Sequence, residues 1–231
     1  MISIDTILQQ ATALNLSGFK ESLLHQSNDA NYSSLSRDNK KIKRLLQTAT
    51  LKDKTASLEQ IEYLPKRNLD KSIIMSLASG NFINLNQNVL ITGPTGVGKS
   101  FAMQCLARRA IALGYTTKYY RVSNLLEEIR ISRMDGTYTK TLAKISKFKL
   151  LLLDDFGVSP LKPDELNDLF EIIEDRTFNG SIIITAQLPI KDWHAYLGNE
   201  TIADAMMDRL IHTAHKLELK GGSMREYLAK S

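Results

Sequence analysis

An apolar run, a glycine-rich loop and a run with strong helical character follow one another in residues 88–113, NVLITGPTGVGKSFAMQCLARRAIAL. The loop matches G-x-x-x-x-G-K-[ST] at every fixed position: Gly93, Gly98, Lys99 and Ser100, with Pro94, Thr95, Gly96 and Val97 between them. The spacing has a physical basis. Glycines let the backbone pass close to phosphate oxygens, so that its N–H groups become donors, and a helix starting near Lys99 adds the positive end of its dipole. Lys99 can then reach the β- and γ-phosphates, and Ser100 can offer its hydroxyl to Mg²⁺. A flexible turn that merely contains Gly and Lys would not need a buried strand before it and an apolar helix after it. The pattern therefore predicts a strand–loop–helix unit inside an α/β sheet, with ATP and Mg²⁺ as ligands and Phe101 within the contact set.

Residues 149–157, KLLLLDDFG, raise a second requirement. The segment reads as a strand that is apolar on both faces, yet it ends in Asp154 and Asp155. A buried carboxylate is costly unless something cationic compensates it. Ligands of open α/β sheets sit at the carboxyl ends of the strands. With this strand placed beside the phosphate-loop strand, Asp154 acts on Mg²⁺ together with Ser100. Asp155 is then the candidate to orient and deprotonate a water. The alternative for Asp155 is to cap the turn into Gly157. Adjacent strand residues diverge, so a local twist is needed for both carboxylates to face one ligand.

Further strands are expected at 88–92, 116–122, 181–187 and 215–220. Helices are expected at 99–113, from a Ser123 cap to Met134, from Pro163 to about Phe178, and at 190–197 and 201–213. Strands that are apolar throughout and alternate with helices indicate a parallel sheet covered on both faces. Before residue 66 the pattern is helical. Apolar positions recur at helical spacing over 4–16, and a second helical stretch covers roughly 37–60. This gives a small helical N-terminal domain, 1–65, for partner or DNA binding, and a nucleotide-binding domain, 66–231.

The net charge of +5 is concentrated. Residues 37–71 hold ten Lys/Arg against five Asp/Glu, a surplus equal to that of the whole chain. Such a stripe suits a polyanion, nucleic acid above all, although a solvated helix face has the same composition. A second group, Lys140, Lys144, Lys147 and Lys149, offers the same two readings. The single cysteine, Cys105, excludes an intrachain disulfide and reads as core packing. No secretory signal or bilayer-spanning apolar run is visible, so the expectation is a cytoplasmic protein without membrane contact. His194, His212 and His215 lack partners at zinc-ligand spacing, and Trp193 is expected to pack against Tyr196 and Leu197.

GPTGVGKS, LLLLDDFG, IIITAQLP, DWHAYLG, ADAMMDRL and GGSMR, in that order, resemble the IstB-type transposition helper ATPases. These belong to the AAA+ superfamily, in the clade that also holds the DnaC-type helicase loaders and DnaA. The resemblance spans almost the whole chain and implies an AAA+ P-loop fold with a five-stranded parallel sheet. It implies that Gln187 is the sensor 1 residue near the γ-phosphate, where many relatives have Asn. It further implies that Arg209 is an arginine finger reaching a neighbouring subunit's ATP, and that Arg225 is the sensor 2 arginine within the same subunit. The alternatives are a strand-ending polar residue for Gln187 and a surface ion pair with Asp204 or Asp208 for Arg209. Asp154-Asp155 departs from the Asp-Glu of most AAA+ proteins and fits the DnaC and IstB clade.

The function implied is an ATP-hydrolysing homo-oligomer that binds double-stranded DNA and recruits or regulates a transposase. A DnaC-type replicative helicase loader uses the same engine for a different client. A small-molecule kinase lacks a visible substrate-closing segment here. A non-hydrolysing nucleotide-dependent scaffold would not need Asp155.

Overall fold

The computed structural model describes residues 39–229. The helix expected over 4–16 lies outside the described residues. The chain divides into two compact units between Arg44 and Leu45. Of the first unit, residues 39–44 are described and are helical.

In the second unit the helical run ends at residue 49, and Thr50 takes a left-handed φ of 52°. The helix expected to reach about residue 60 is therefore shorter, and residues 51–70 form turns and two short 3-10 segments, Leu58–Gln60 and Pro65–Arg67. Asp53 explains part of this. Its carboxylate accepts hydrogen bonds from the Thr55 and Ala56 amides at 2.8 and 3.0 Å, a local alternative to helix.

From there the order is α1 (Lys71–Ala78), α2 (Asn81–Asn84), β1 (Val89–Thr92), α3 (Lys99–Ala112), β2 (Thr117–Arg121), α4 (Val122–Met134), α5 (Tyr138–Ser146) and β3 (Leu150–Phe156). It continues with α6 (Pro163–Arg176), β4 (Ser181–Ala186), α7 (Trp193–Leu197), α8 (Glu200–Ile211), β5 (His215–Glu218) and α9 (Met224–Leu228). The helix starts follow local chemistry. The Asp70 side chain caps α1 at the Ser72 amide, Pro163 opens α6, and the Asn199 side chain caps α8 at the Ile202 amide. Ser123 is not a cap, because α4 begins at Val122 directly after β2.

The five strands form one parallel sheet in the order β2-β3-β4-β1-β5. Contrary to the expectation from sequence, the strand with the two aspartates is not beside the phosphate-loop strand. β4 lies between them. β1 and β4 are buried at every residue, which is why their sequences show no alternation. On α3, Met103, Leu106, Ala107, Ala110 and Ile111 are buried. Each large apolar side chain there contributes about 1.5–3 kcal/mol. Cys105 is buried too, and burial pushes its thiol pKa up to about 12.

Trp193 is fully buried, as expected, but its main ring partner is Phe156 at 4.5 Å rather than Tyr196. Its indole N–H donates to the Leu188 carbonyl at 2.9 Å, so it is not available to stack on a base. Arg176 is buried and donates to the carbonyls of Ile145, Phe148 and Ser181, tying the end of α5 to the starts of β3 and β4.

Candidate functional site

The loop between β1 and α3 is held from outside by the C-terminal segment. The Leu219 amide donates to the Thr92 carbonyl at 2.8 Å, and the Met224 amide donates to the Gly96 carbonyl at 2.8 Å. This explains two glycines more fully than phosphate binding alone. Gly93 has φ 141°, and a Cβ there would sit 2.2 Å from the Leu219 carbonyl oxygen. Gly98 has φ 98°, and a Cβ there would sit 2.4 Å from a guanidinium nitrogen of Arg67. Lys99, at the first turn of α3, is buried, and its ammonium donates to the Gly93 and Pro94 carbonyls at 2.7 and 2.8 Å. Burial lowers its pKa, and the nearby Asp154 and Asp155 charges oppose that shift.

The two aspartates are separated by a bulge. Leu153 pairs with Ile184, but the next pairing is Phe156 with Ala186, so β3 carries one extra residue. Asp155 absorbs it with a left-handed φ of 62°. Asp154 stays in the strand with 1% exposure, whereas the Asp155 side chain is 43% exposed. The bulge breaks the alternation between the two carboxylates: Asp155 lines the cleft over this edge, and Asp154 lies buried behind the Ser100 hydroxyl.

Asp154 is held from three sides. Its Oδ1 accepts from the Ser100 hydroxyl at 2.7 Å and from the Thr185 hydroxyl. Its Oδ2 accepts from the Tyr119 hydroxyl at 3.0 Å. Burial, first, and the adjacent Asp154 charge raise the Tyr119 pKa, so the phenol remains a donor at working pH. Asp155 forms an ion pair with Arg121 at 3.4 Å, and its amide donates to the Thr185 hydroxyl at 3.3 Å.

A cleft of about 670 Å³ opens over this edge. It brings together the expected Thr95, Gly96, Gly98, Lys99, Ser100, Phe101, Asp155, Gln187 and Arg225. Arg225 arrives on α9, directly after the Met224 amide that is bonded to the loop. Arg209 is not in this cleft. It lies on α8, paired with Glu174 of α6 rather than with Asp204 or Asp208, and 5.4 Å from the Phe170 ring. Asp204 instead meets His194 at 3.0 Å.

Several cleft residues were not foreseen: Asp53, Thr55, Gln60, Glu62, Arg67 and Met224. Arg67 belongs to the basic stripe by sequence, yet it is 5% exposed. Its guanidinium donates to the Val97 carbonyl at 2.8 Å and to the Glu62 carbonyl. The remaining lysines of the stripe from Lys40 onward, and Arg44, are exposed. Gln104, one turn beyond Ser100, is buried, and both its amide atoms lack partners, as does Arg67 Nε. Gln104 lines a side hollow that shares Asp53, Ser100, Phe101 and Arg225 with the main cleft. Unpaired buried polar groups are costly, and a polar ligand in the adjoining space is a source of partners.

The family described as IstB-like ATP binding protein matches residues 3–230. The chain belongs to this family. It is 41% identical over 167 residues to an insertion sequence ATP-binding protein of Sinorhizobium fredii, covering 72% of this chain and 68% of that one. It is 42% identical over 153 residues to the ATP-binding protein of insertion sequence IS1162 of Pseudomonas fluorescens, covering 66% of each. Among solved structures, AMPPCP-bound DnaA from Aquifex aeolicus has a TM-score of 0.64 at 18% identity, covering 79% of this chain and 57% of that one. DnaI has a TM-score of 0.61 at 20% identity, covering 77% and 94%. The IstB-like chain is therefore an ATP-binding ATPase, and it shares the fold of the DnaA and DnaI structures. Its oxygen donors also fit Mg²⁺, a hard cation that takes hydroxyl and carboxylate ligands: the Ser100 hydroxyl and the Asp154 carboxylate already meet at 2.7 Å.

Proposed function

We propose that this IstB-like ATPase is the helper of an insertion-sequence transposase. It assembles as a homo-oligomer on double-stranded DNA in the cytoplasm, and recruits or regulates the transposase according to its bound nucleotide. The names of the relatives support the setting. The observation that carries the oligomer is a division of the catalytic groups. One chain brings the phosphate loop, Asp155, Gln187 and Arg225 to one cleft, while Arg209 lies elsewhere.

In this reading the loop amides and Lys99 bind the β- and γ-phosphates, and Arg225 orients them within the subunit. The Ser100 hydroxyl and Asp154 would hold Mg²⁺, which would supply charge neutralisation at the triphosphate. Asp155, once released from Arg121, accepts the proton of the attacking water, and Gln187 orients that water. Arg209 of a neighbouring subunit stabilises the charge of the transition state. Residues 1–65 carry the partner contacts, and the exposed lysines Lys52 and Lys54 contribute to a DNA-binding face. The Lys140–Lys149 group is exposed as well and is the second candidate DNA track.

Full-length protein titrated against a short fluorescent duplex tests this reading. Binding should require an ATP analogue and weaken steeply with salt, because released counterions dominate such binding. The transposase of the same element should be retained on the assembly. Nucleotide-independent DNA affinity, or retention of a replicative helicase and not the transposase, would favour the helicase-loader reading instead.

A further inference from the structure

Asp154 has two oxygens, and the site already described uses one of them. Oδ1 faces Ser100 and Thr185, on the side of the phosphate loop. Oδ2 receives the Tyr119 hydroxyl at 3.0 Å. Tyr119 comes from β2, an edge strand of the sheet, and its position follows from the register. Tyr119 pairs with Leu152 and Arg121 with Asp154 in the parallel ladder. Residues two apart share a face, so Tyr119 and Asp154 are diagonal neighbours on one face of β2 and β3. A tyrosine is long enough to span that diagonal.

We propose that Tyr119 is a positioning residue for the metal-binding carboxylate. Its hydroxyl fixes Oδ2 and thereby leaves Oδ1 directed at the cation beside Ser100. A carboxylate held at one oxygen only can rotate, or can offer both oxygens to the cation; a donor on the far oxygen prevents both. Such outer contacts orient metal ligands, and their loss typically costs about 10–100-fold in metal affinity. Thr185 holds the same carboxylate from β4, and its hydroxyl also accepts the Asp155 amide at 3.3 Å. Asp154 is thus fixed by groups from α3, β2 and β4, none of them adjacent to it in sequence.

The inference rests on the ATPase reading of Asp154, and its test separates the two. Mn²⁺ replaces Mg²⁺, and its affinity for the full-length protein saturated with a non-hydrolysable ATP analogue is read from the free-ion EPR signal. Analogue binding without metal is measured alongside as the control for folding. Tyr119→Phe keeps the ring and removes only the donor. It should weaken Mn²⁺ binding about ten-fold and leave metal-free analogue binding unchanged. Asp154→Asn should weaken Mn²⁺ further. Wild-type Mn²⁺ affinity in Tyr119→Phe beside a loss in Asp154→Asn would overturn the role of Tyr119 and spare the reading of Asp154. No loss in either variant would overturn both. Loss of metal-free analogue binding in Tyr119→Phe would make the hydroxyl a determinant of the fold and overturn the proposal.

Discussion

The phosphate edge of the sheet and the α6–α8 face both carry charged groups proposed to serve ATP hydrolysis, and they hold them in different ways. At the phosphate edge Asp154 is buried and fixed by hydroxyls of Ser100, Thr185 and Tyr119. Lys99 is buried with its ammonium turned into the loop. To receive a triphosphate this edge needs Lys99 to turn from the Gly93 and Pro94 carbonyls, while Asp154 and Ser100 stay in place. At the other face Arg209 has its Nε on Glu174, one terminal nitrogen on the Ala205 carbonyl and its plane near Phe170. To act on a neighbour's nucleotide it must leave Glu174. The binding half of the site is preorganised, and the half proposed to come from another subunit is tied within its own. That arrangement suits an enzyme that binds ATP readily and hydrolyses it only when assembled.

The comparison can be broken at each end. The largest effect should come from Lys99→Ala. It removes a buried cation from the phosphate site and should weaken ATP binding about a hundred-fold or more, since charge-assisted hydrogen bonds contribute about 1.5–3 kcal/mol each. A fluorescent ATP analogue measures this directly. Near-normal affinity would mean that the loop does not grip the phosphates.

Asp155→Asn comes next. The carboxylate is outside the β3–β4 ladder and, among the described residues, is paired with the exposed Arg121. Binding should survive while phosphate release falls about 10²–10⁴-fold, the usual contribution of a general base. Unchanged turnover would return Asp155 to a turn-forming role.

The smallest effect should come from Glu174→Gln, which frees Arg209 without touching the cleft. The ion pair is partly exposed, with Glu174 at 47%, so its rupture is worth at most about 1 kcal/mol. Phosphate release by the assembled protein should rise by up to about five-fold. A fall would show that Glu174 aids Arg209 rather than restraining it.

Much of the phosphate edge was legible because its chemistry is encoded in consecutive residues. Gly93 to Ser100 reads as one motif, and the cost of burying Asp154 reads from the apolar run before it. What stayed hidden depends on which strands lie side by side. Nothing in the spacing says that β4 lies between β1 and β3, so Thr185 looked like any other β-branched strand residue. Tyr119 reads as an ordinary aromatic in a strand until the β2–β3 register places it across from Asp154. The bulge at Asp155 is invisible in LLLLDDFG, which reads as an unbroken strand. Arg67 was counted with surface lysines, because composition cannot tell an arginine on a solvated face from one folded under a loop. Glu174 escaped for the same reason that local pairs on α8 were expected: ion-pair partners from another helix leave no trace in spacing.

The central claim, that one subunit completes another's catalytic pocket, is tested most directly by mixing two inactive variants. Arg209→Ala should bind ATP normally and lose about 10³–10⁵ in hydrolysis; Asp155→Asn should also bind and fail to hydrolyse. Mixed in equal amounts on DNA, they form some interfaces in which the intact Arg209 of one variant faces the intact Asp155 of the other. Random head-to-tail pairing makes this roughly a quarter of all interfaces, and phosphate release should recover to a comparable fraction of the wild-type rate. Recovery at no mixing ratio, with assembly confirmed, would contradict a shared site.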